Sequence, residues 1–99
     1  MSGSRAVLSP EEANRRAAQL PQWKIVDAKK LTRTFRFPDF QKGFDFVNRV
    51  GAVAEKQGHH PDLRLSWGIV EVETWTHDAG GLTEQDFLLA SKIDQLDGI

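Results

Sequence analysis

Apolar positions recur along this chain at two periods, one near 3.6 residues and one of 2, and the switches between them divide it into seven elements. Ser9-Pro10-Glu11-Glu12 is a helix start: Ser9 caps, Pro10 suits the first helical position and Glu12 completes a capping box. The pattern predicts a helix to about Leu20, with Ala13, Ala17 and Leu20 along one stripe and Pro21 as the stop. Trp23 to Val26 reads as a short strand. After a turn at Asp27-Ala28-Lys29, Lys30 to Phe37 reads as a second, with Leu31, Phe35 and Phe37 on one face. Pro38-Asp39 opens the longest helix, about Phe40 to Lys56, whose apolar stripe is read as Phe40, Phe44, Val47, Gly51 and Ala54, widened by Val50 and Val53. Gly58 is its C-terminal stop. A hairpin follows, Leu63 to Trp67 and Ile69 to about Thr76, turning at Trp67-Gly68. Val70, Val72 and Thr74 share one face of it; Glu71, Glu73, Trp75 and His77 share the other. Thr83-Glu84-Gln85-Asp86 starts the last helix, striped by Leu89, Ile93 and Leu96.

The predicted order is α-β-β-α-β-β-α. Short turns within each strand pair imply antiparallel hairpins. The fold class is therefore α+β: two layers, a four-stranded antiparallel sheet with three helices on one face. One helical layer leaves the other sheet face, and the sheet edges, open to a second copy of the chain, so a homodimer or homotetramer is expected.

Composition narrows the picture mainly by exclusion. Ninety-nine residues suit one domain, expected over 9–97 behind a flexible N-terminus, 1–8. Thirteen basic against fourteen acidic residues leave a net charge of −1, so no basic excess points to nucleic acid. The absence of cysteine removes disulfides, thiolate catalysis and zinc ribbons. No apolar run approaches membrane-spanning length, and the first five residues carry no signal-like run, which makes the cytoplasm the expected location.

The candidate chemistry lies in the histidines. His59, His60 and His77 are the only three, and they fall within 19 positions. A turn centred between Trp67 and Gly68 pairs residues whose numbers sum to about 135, which sets His60 opposite Trp75 and His59 opposite Thr76, with His77 at the same end. Imidazoles gathered there suit proton transfer near neutral pH. Glu55, four residues before His59, could orient an imidazole or merely be solvated, and Asp86 could act at the site or serve only as the third residue of the Thr83 capping box. A polar turn at His59-His60 and a three-histidine metal site are the rivals. Adjacent strand histidines point to opposite faces, which argues against one ion.

The spacing Glu55-x3-His59-His60-Pro61-x5-Trp67-x9-His77-x8-Asp86 resembles the signature of the pterin-4a-carbinolamine dehydratases. The segments FRFPDFQKGFDFVNRVGAVAEKQGHHPD and THDAGGLTEQDF are similar to that family too, and the likeness runs from about Leu8 to Leu96. The resemblance implies dehydration of 4a-hydroxytetrahydropterin to quinonoid dihydropterin in pterin recycling, with no metal or organic cofactor and with a pterin-dependent aromatic amino acid hydroxylase as pathway partner. It implies catalytic His59, His60 and His77; pterin contacts at Gly58, His59, His60, Trp75, Thr76 and His77; and supporting carboxylates at Glu55 and Asp86. The expected division of labour has His60 and His77 exchanging protons with the 4a-hydroxyl and N5, and His59 mainly positioning the ring. Leu63, Trp75 and Gly58 depart from animal members and look more like bacterial ones. The alternative the family offers is a non-catalytic homo-oligomeric binding module, of the transcriptional dimerisation-partner or Rubisco assembly-factor type.

Overall fold

The structure is a computed structural model and describes residues 6–96. Its elements run α1 (Pro10–Ala17), β1 (Lys24–Val26), β2 (Lys30–Arg36), α2 (Phe40–Gln57), β3 (Asp62–Ser66), β4 (Ile69–Thr74) and α3 (Glu84–Asp94). The strands form one antiparallel sheet in the order β1-β2-β4-β3. The expected fold class and element order are the ones observed. Residues 1–5 of the segment expected to be flexible, and residue 97 at the expected domain end, lie outside the described residues. The end of that first segment is tied down, because Leu8 donates its backbone N–H to Leu82 O at 2.9 Å.

Alternation decides which sheet face is buried. Leu31 and Phe35 of β2, with Val70, Val72 and Thr74 of β4, turn inward and are almost wholly buried. They meet Phe46, Val50 and Ala54 of α2 and Leu89, Ala90 and Ile93 of α3 in one core. Phe46 sits at its centre, 4.7 Å from the Phe35 ring and 5.1 Å from Phe37.

The buried face of α2 keeps Val50 and Ala54 of the expected stripe but is turned from the rest of it. Gly43, Phe46, Val50 and Ala54 are its buried residues, whereas Phe40 and Phe44 are 44% and 45% exposed and stack on each other 6.2 Å apart. The helix carries apolar residues over more than half its circumference, and Phe46 offers the sheet a larger side chain than Gly51. Helix α1 stops at Ala17 rather than near Leu20, because its last turn tightens: Gln19 N bonds Arg16 O and Leu20 N bonds Ala17 O, ahead of Pro21. Ser9 accepts from Glu12 N as expected, but the Glu12 carboxylate is taken by Arg15 and Arg16.

Two glycines set the geometry at the ends of α2 and of the second hairpin. Gly58 caps α2 in the left-handed conformation at φ 71°, a backbone that costs other residues about 1–2 kcal/mol, and so turns the chain sharply into His59. At the β3–β4 turn a Cβ on Gly68 would lie 2.8 Å from Phe37 O, while Gly68 O accepts from Phe37 N. That close approach holds the turn, and with it the register of the hairpin.

Candidate functional site

The hairpin register is the one expected: Asp62 pairs with Glu73, Leu63 with Val72 and Ser66 with Ile69, each pair summing to 135. The ladder ends at Asp62 and Thr74, and Pro61 cannot extend it. Beyond that end stand His59 and His60, which lead into β3, and Trp75, Thr76 and His77, which follow β4. Trp67 lies at the opposite end of the hairpin, 71% exposed.

Asp86 joins the two segments. It is the third residue of α3 and is fully buried. Its Oδ2 accepts the Thr83 backbone N–H at 3.0 Å and the Thr76 hydroxyl at 2.9 Å. Its Oδ1 accepts the Thr74 hydroxyl at 2.6 Å and lies 2.6 Å from His59 Nε2. The capping box at Thr83 is present, so the modest reading of Asp86 holds as far as it goes. The same carboxylate also reaches β4 and the segment after α2. An ionised carboxylate has about four acceptor sites, and four donors fill them here. The first turn of a helix further favours negative charge.

The hydrogen bookkeeping orients His59. The Thr76 hydroxyl spends its one hydrogen on Asp86, so the 2.8 Å contact between Thr76 Oγ1 and Thr83 Oγ1 must use the Thr83 hydrogen. Thr83 Oγ1 in turn accepts Gln85 N. With both Asp86 oxygens as acceptors, His59 Nε2 carries a hydrogen and donates it. The neutral ring then has Nδ1 as its bare nitrogen.

The other two histidines are placed differently. His60 Nε2 lies 2.5 Å from Glu55 Oε2, with the imidazole 60% and the carboxylate 77% exposed. Glu55 therefore orients an imidazole, but that of His60 rather than His59. His77 is exposed and stacks on Trp75 with centroids 4.1 Å apart. Lys30 Nζ stands 5.5 Å from the Trp75 ring centre on its way to Glu73, 3.5 Å away. Trp75 and His77 thus pack face to face at one edge of the site, while Thr76 between them turns inward to Asp86.

A trough of about 340 Å³ on the open sheet face, walled by Thr32, Thr34, Asp62, Glu71 and Glu73, contains none of the three histidines. Its walls bear no imidazole, so the histidine constellation, not the trough, marks the candidate site. Among the described residues no group of three or more His, Asp or Glu side chains is placed to hold a metal ion.

Sequence reasoning missed two polar residues of this region's frame. Alternation puts Thr74 on the face of Val70 and Val72 without assigning it a role, yet a hydroxyl on a core face must find a partner. Arg33 falls between Leu31 and Phe35 by the same alternation. It bonds Asp94 Oδ1 at 2.6 Å, which also accepts Trp23 Nε1 at 2.8 Å, pinning β2 and the residue before β1 to the end of α3.

Comparison with known proteins gives the family of the chain. The model of the family described as pterin 4 alpha carbinolamine dehydratase matches residues 6–96. The chain belongs to that family. A Rubrobacter xylanophilus protein provisionally named a pterin-4-alpha-carbinolamine dehydratase is 52% identical over 90% of this chain and 83% of its own length. A Chlorobaculum tepidum protein with the same provisional name is 45% identical over 95% and 87%. A crystal structure described as a transcriptional coactivator/pterin dehydratase from Brucella melitensis superposes with a TM-score of 0.86 at 34% identity, covering 93% of this chain and 99% of that one. A pterin dehydratase-like protein identified as a RuBisCO assembly factor in the alpha-carboxysome shares the fold, with a TM-score of 0.65 at 20% identity over 78% and 90%. Pterin carbinolamine dehydratases are hydro-lyases, and the constellation of this member is one that can move protons. Among the described residues no helix is long and apolar enough to cross a bilayer.

Proposed function

We propose that this protein dehydrates 4a-hydroxytetrahydropterin to quinonoid dihydropterin and water, in the cytoplasm, and so supports pterin recycling after a pterin-dependent aromatic amino acid hydroxylase. The observation that carries the reading is the Asp86 junction. One buried carboxylate binds His59 directly, and it binds Thr76, the residue before His77.

The reaction is an elimination. An acid protonates the 4a-hydroxyl, the C4a–O bond breaks and water leaves, the N5 proton passes to a base, and a C4a=N5 double bond forms. His60 and His77 are assigned these proton transfers. Both are exposed, so both can meet a ligand arriving from solvent and exchange protons with water afterwards. Glu55 steadies His60, and Trp75 backs the exposed His77 ring, whose other face is left for a flat heterocycle. His59 is 5% exposed and fixed from behind, which suits an anchor for the ring. Gly58 sets the entry of this segment. The deciding measurement is the rate of carbinolamine breakdown at neutral pH with and without the protein. Clear acceleration by the protein is the expected result; no acceleration would leave a binding module, the role half-named in the Brucella relative's description, as the better account.

We also propose that the protein works as a homodimer or homotetramer. Strands β1 and β3 leave unpaired edges, and the stacked Phe40 and Phe44 project from α2. Light scattering should return a mass of two or four 11.1 kDa chains, and a mass of one chain would refute the proposal.

A further inference from the structure

We infer that Lys30 is a positioning residue for His77: held by Glu73, it fixes the Trp75 ring on which the His77 imidazole stacks. The dehydratase reading supplies the reaction that His77 serves; the contacts from Glu73 to His77 do not depend on it.

The three histidines are held by different means. Asp86 bonds His59, and Glu55 bonds His60. Among the described residues no hydrogen bond or ion pair reaches the His77 imidazole, and its ring partner is Trp75, 4.1 Å away with 30° between the planes. A stack lets a ring slide and turn, so His77 is only as well oriented as Trp75. The Trp75 indole N–H likewise has no hydrogen-bond partner among the described residues. The indole is partly buried against the core, and the charged group at its ring is Lys30 Nζ, 5.5 Å from the centre. The sheet register brings the two together. Leu31 pairs with Thr74, so the next step sets Lys30, the first residue of β2, beside Trp75. Glu73 lies diagonally across, within reach of a long side chain, and its Oε1 stands 3.5 Å from Lys30 Nζ. Both side chains are 35% exposed, so the ammonium is partly desolvated where it meets the indole, which strengthens a cation–π contact. Glu73 keeps the ammonium from swinging into solvent, Lys30 keeps the indole from turning, and the indole sets the plane of His77. Lys30 acts through Trp75 and His77, not on the ligand.

The ring current of an indole reports the stack. At one fixed pH the carbon-bound protons of the His77 imidazole are expected upfield of their position in Trp75→Leu. Lys30→Met keeps a side chain of similar length and removes the charge. Its His77 signals should move towards those of Trp75→Leu, as should those of Glu73→Gln. Tetrahydropterin, which lacks the 4a-hydroxyl and is not turned over, should bind Lys30→Met about 2–5-fold more weakly, the range for losing one exposed cation–π contact. The kcat/KM for the carbinolamine should fall by a similar factor. Lys30→Arg keeps a cation at the ring and should restore all three readouts. A merely structural lysine would lower stability in denaturant and leave the His77 signals where they are. Unchanged His77 signals in Lys30→Met overturn the inference, as do moved signals with wild-type kcat/KM, or a Lys30→Arg protein that behaves like Lys30→Met. Should Lys30→Met not fold, Lys30→Gln against Lys30→Arg makes the same comparison. His77 signals that respond as expected, with no acceleration of carbinolamine breakdown by the wild type, would sink the dehydratase reading and leave Lys30 as the residue that positions His77.

Discussion

Asp86→Asn is expected to reverse the tautomer of His59 and to lower kcat/KM for carbinolamine dehydration by about 10–100-fold, the cost of setting one hydrogen-bond donor against another in a desolvated site. The direction is fixed by the one donor at Asp86 that cannot turn round. The Thr83 N–H is backbone, so the carboxamide oxygen must take the place of Oδ2. The amide NH₂ then takes the place of Oδ1 and faces Thr74 Oγ1 and His59 Nε2. Thr74 can rotate its hydroxyl and accept. His59 can accept only through a bare Nε2, which moves its hydrogen to Nδ1. The ring keeps its place while Nδ1 changes from acceptor to donor. Stability should fall by roughly 2–3 kcal/mol as charge-assisted bonds become neutral ones. Histidine ¹⁵N spectra read the tautomer, denaturant unfolding reads the stability, and steady-state kinetics read the rate. A His59 that keeps its hydrogen on Nε2 in Asp86→Asn would show that the carboxylate does not set the tautomer.

Legibility in the sequence divides along the line between local and tertiary information. The hairpin register is legible because Gly68 fixes the turn and antiparallel pairing then runs by arithmetic out to Asp62 and Glu73. The gathering of the histidine segments at one end comes from the same arithmetic. The buried face of α2 is legible only in part: Val50 and Ala54 of the expected stripe are buried, while Phe46 is not in it. Phe40 and Phe44 continue the stripe of Val47 and Ala54 as well as Phe46 does, and only the sheet's position chooses between them. The exposure of Phe40 and Phe44 is the physical consequence of that choice. Asp86 shows both kinds of information in one residue. Its capping role is written three residues from Thr83, whereas its bond to His59 spans 27 positions and depends on α3 docking beneath β4. Glu55 is recognisable as a partner for an imidazole, yet the left-handed Gly58 turns the chain so that His60, not His59, receives it.

The buried and exposed histidines divide the work of the site, which leads to the largest effect expected of any side-chain removal. His60→Ala and His77→Ala should each slow dehydration, and the double variant should approach the full worth of acid–base help, about 10²–10⁴-fold in kcat. Stability should change little in either single variant. Both imidazoles are exposed, and the exposed His60–Glu55 contact is worth at most about 1 kcal/mol in water. Binding of tetrahydropterin should depend more on His77 than on His60, because Trp75 stacks on one face of the His77 ring and fixes it for a flat heterocycle on the other. His60→Ala should therefore act mainly on kcat, and His77→Ala on both kcat and KM. The pair of variants also tests the division of roles directly. If both single variants retained wild-type rates, proton transfer would have to be reassigned to His59, the one remaining imidazole, and the buried Asp86–His59 pair would become the reacting group rather than its support.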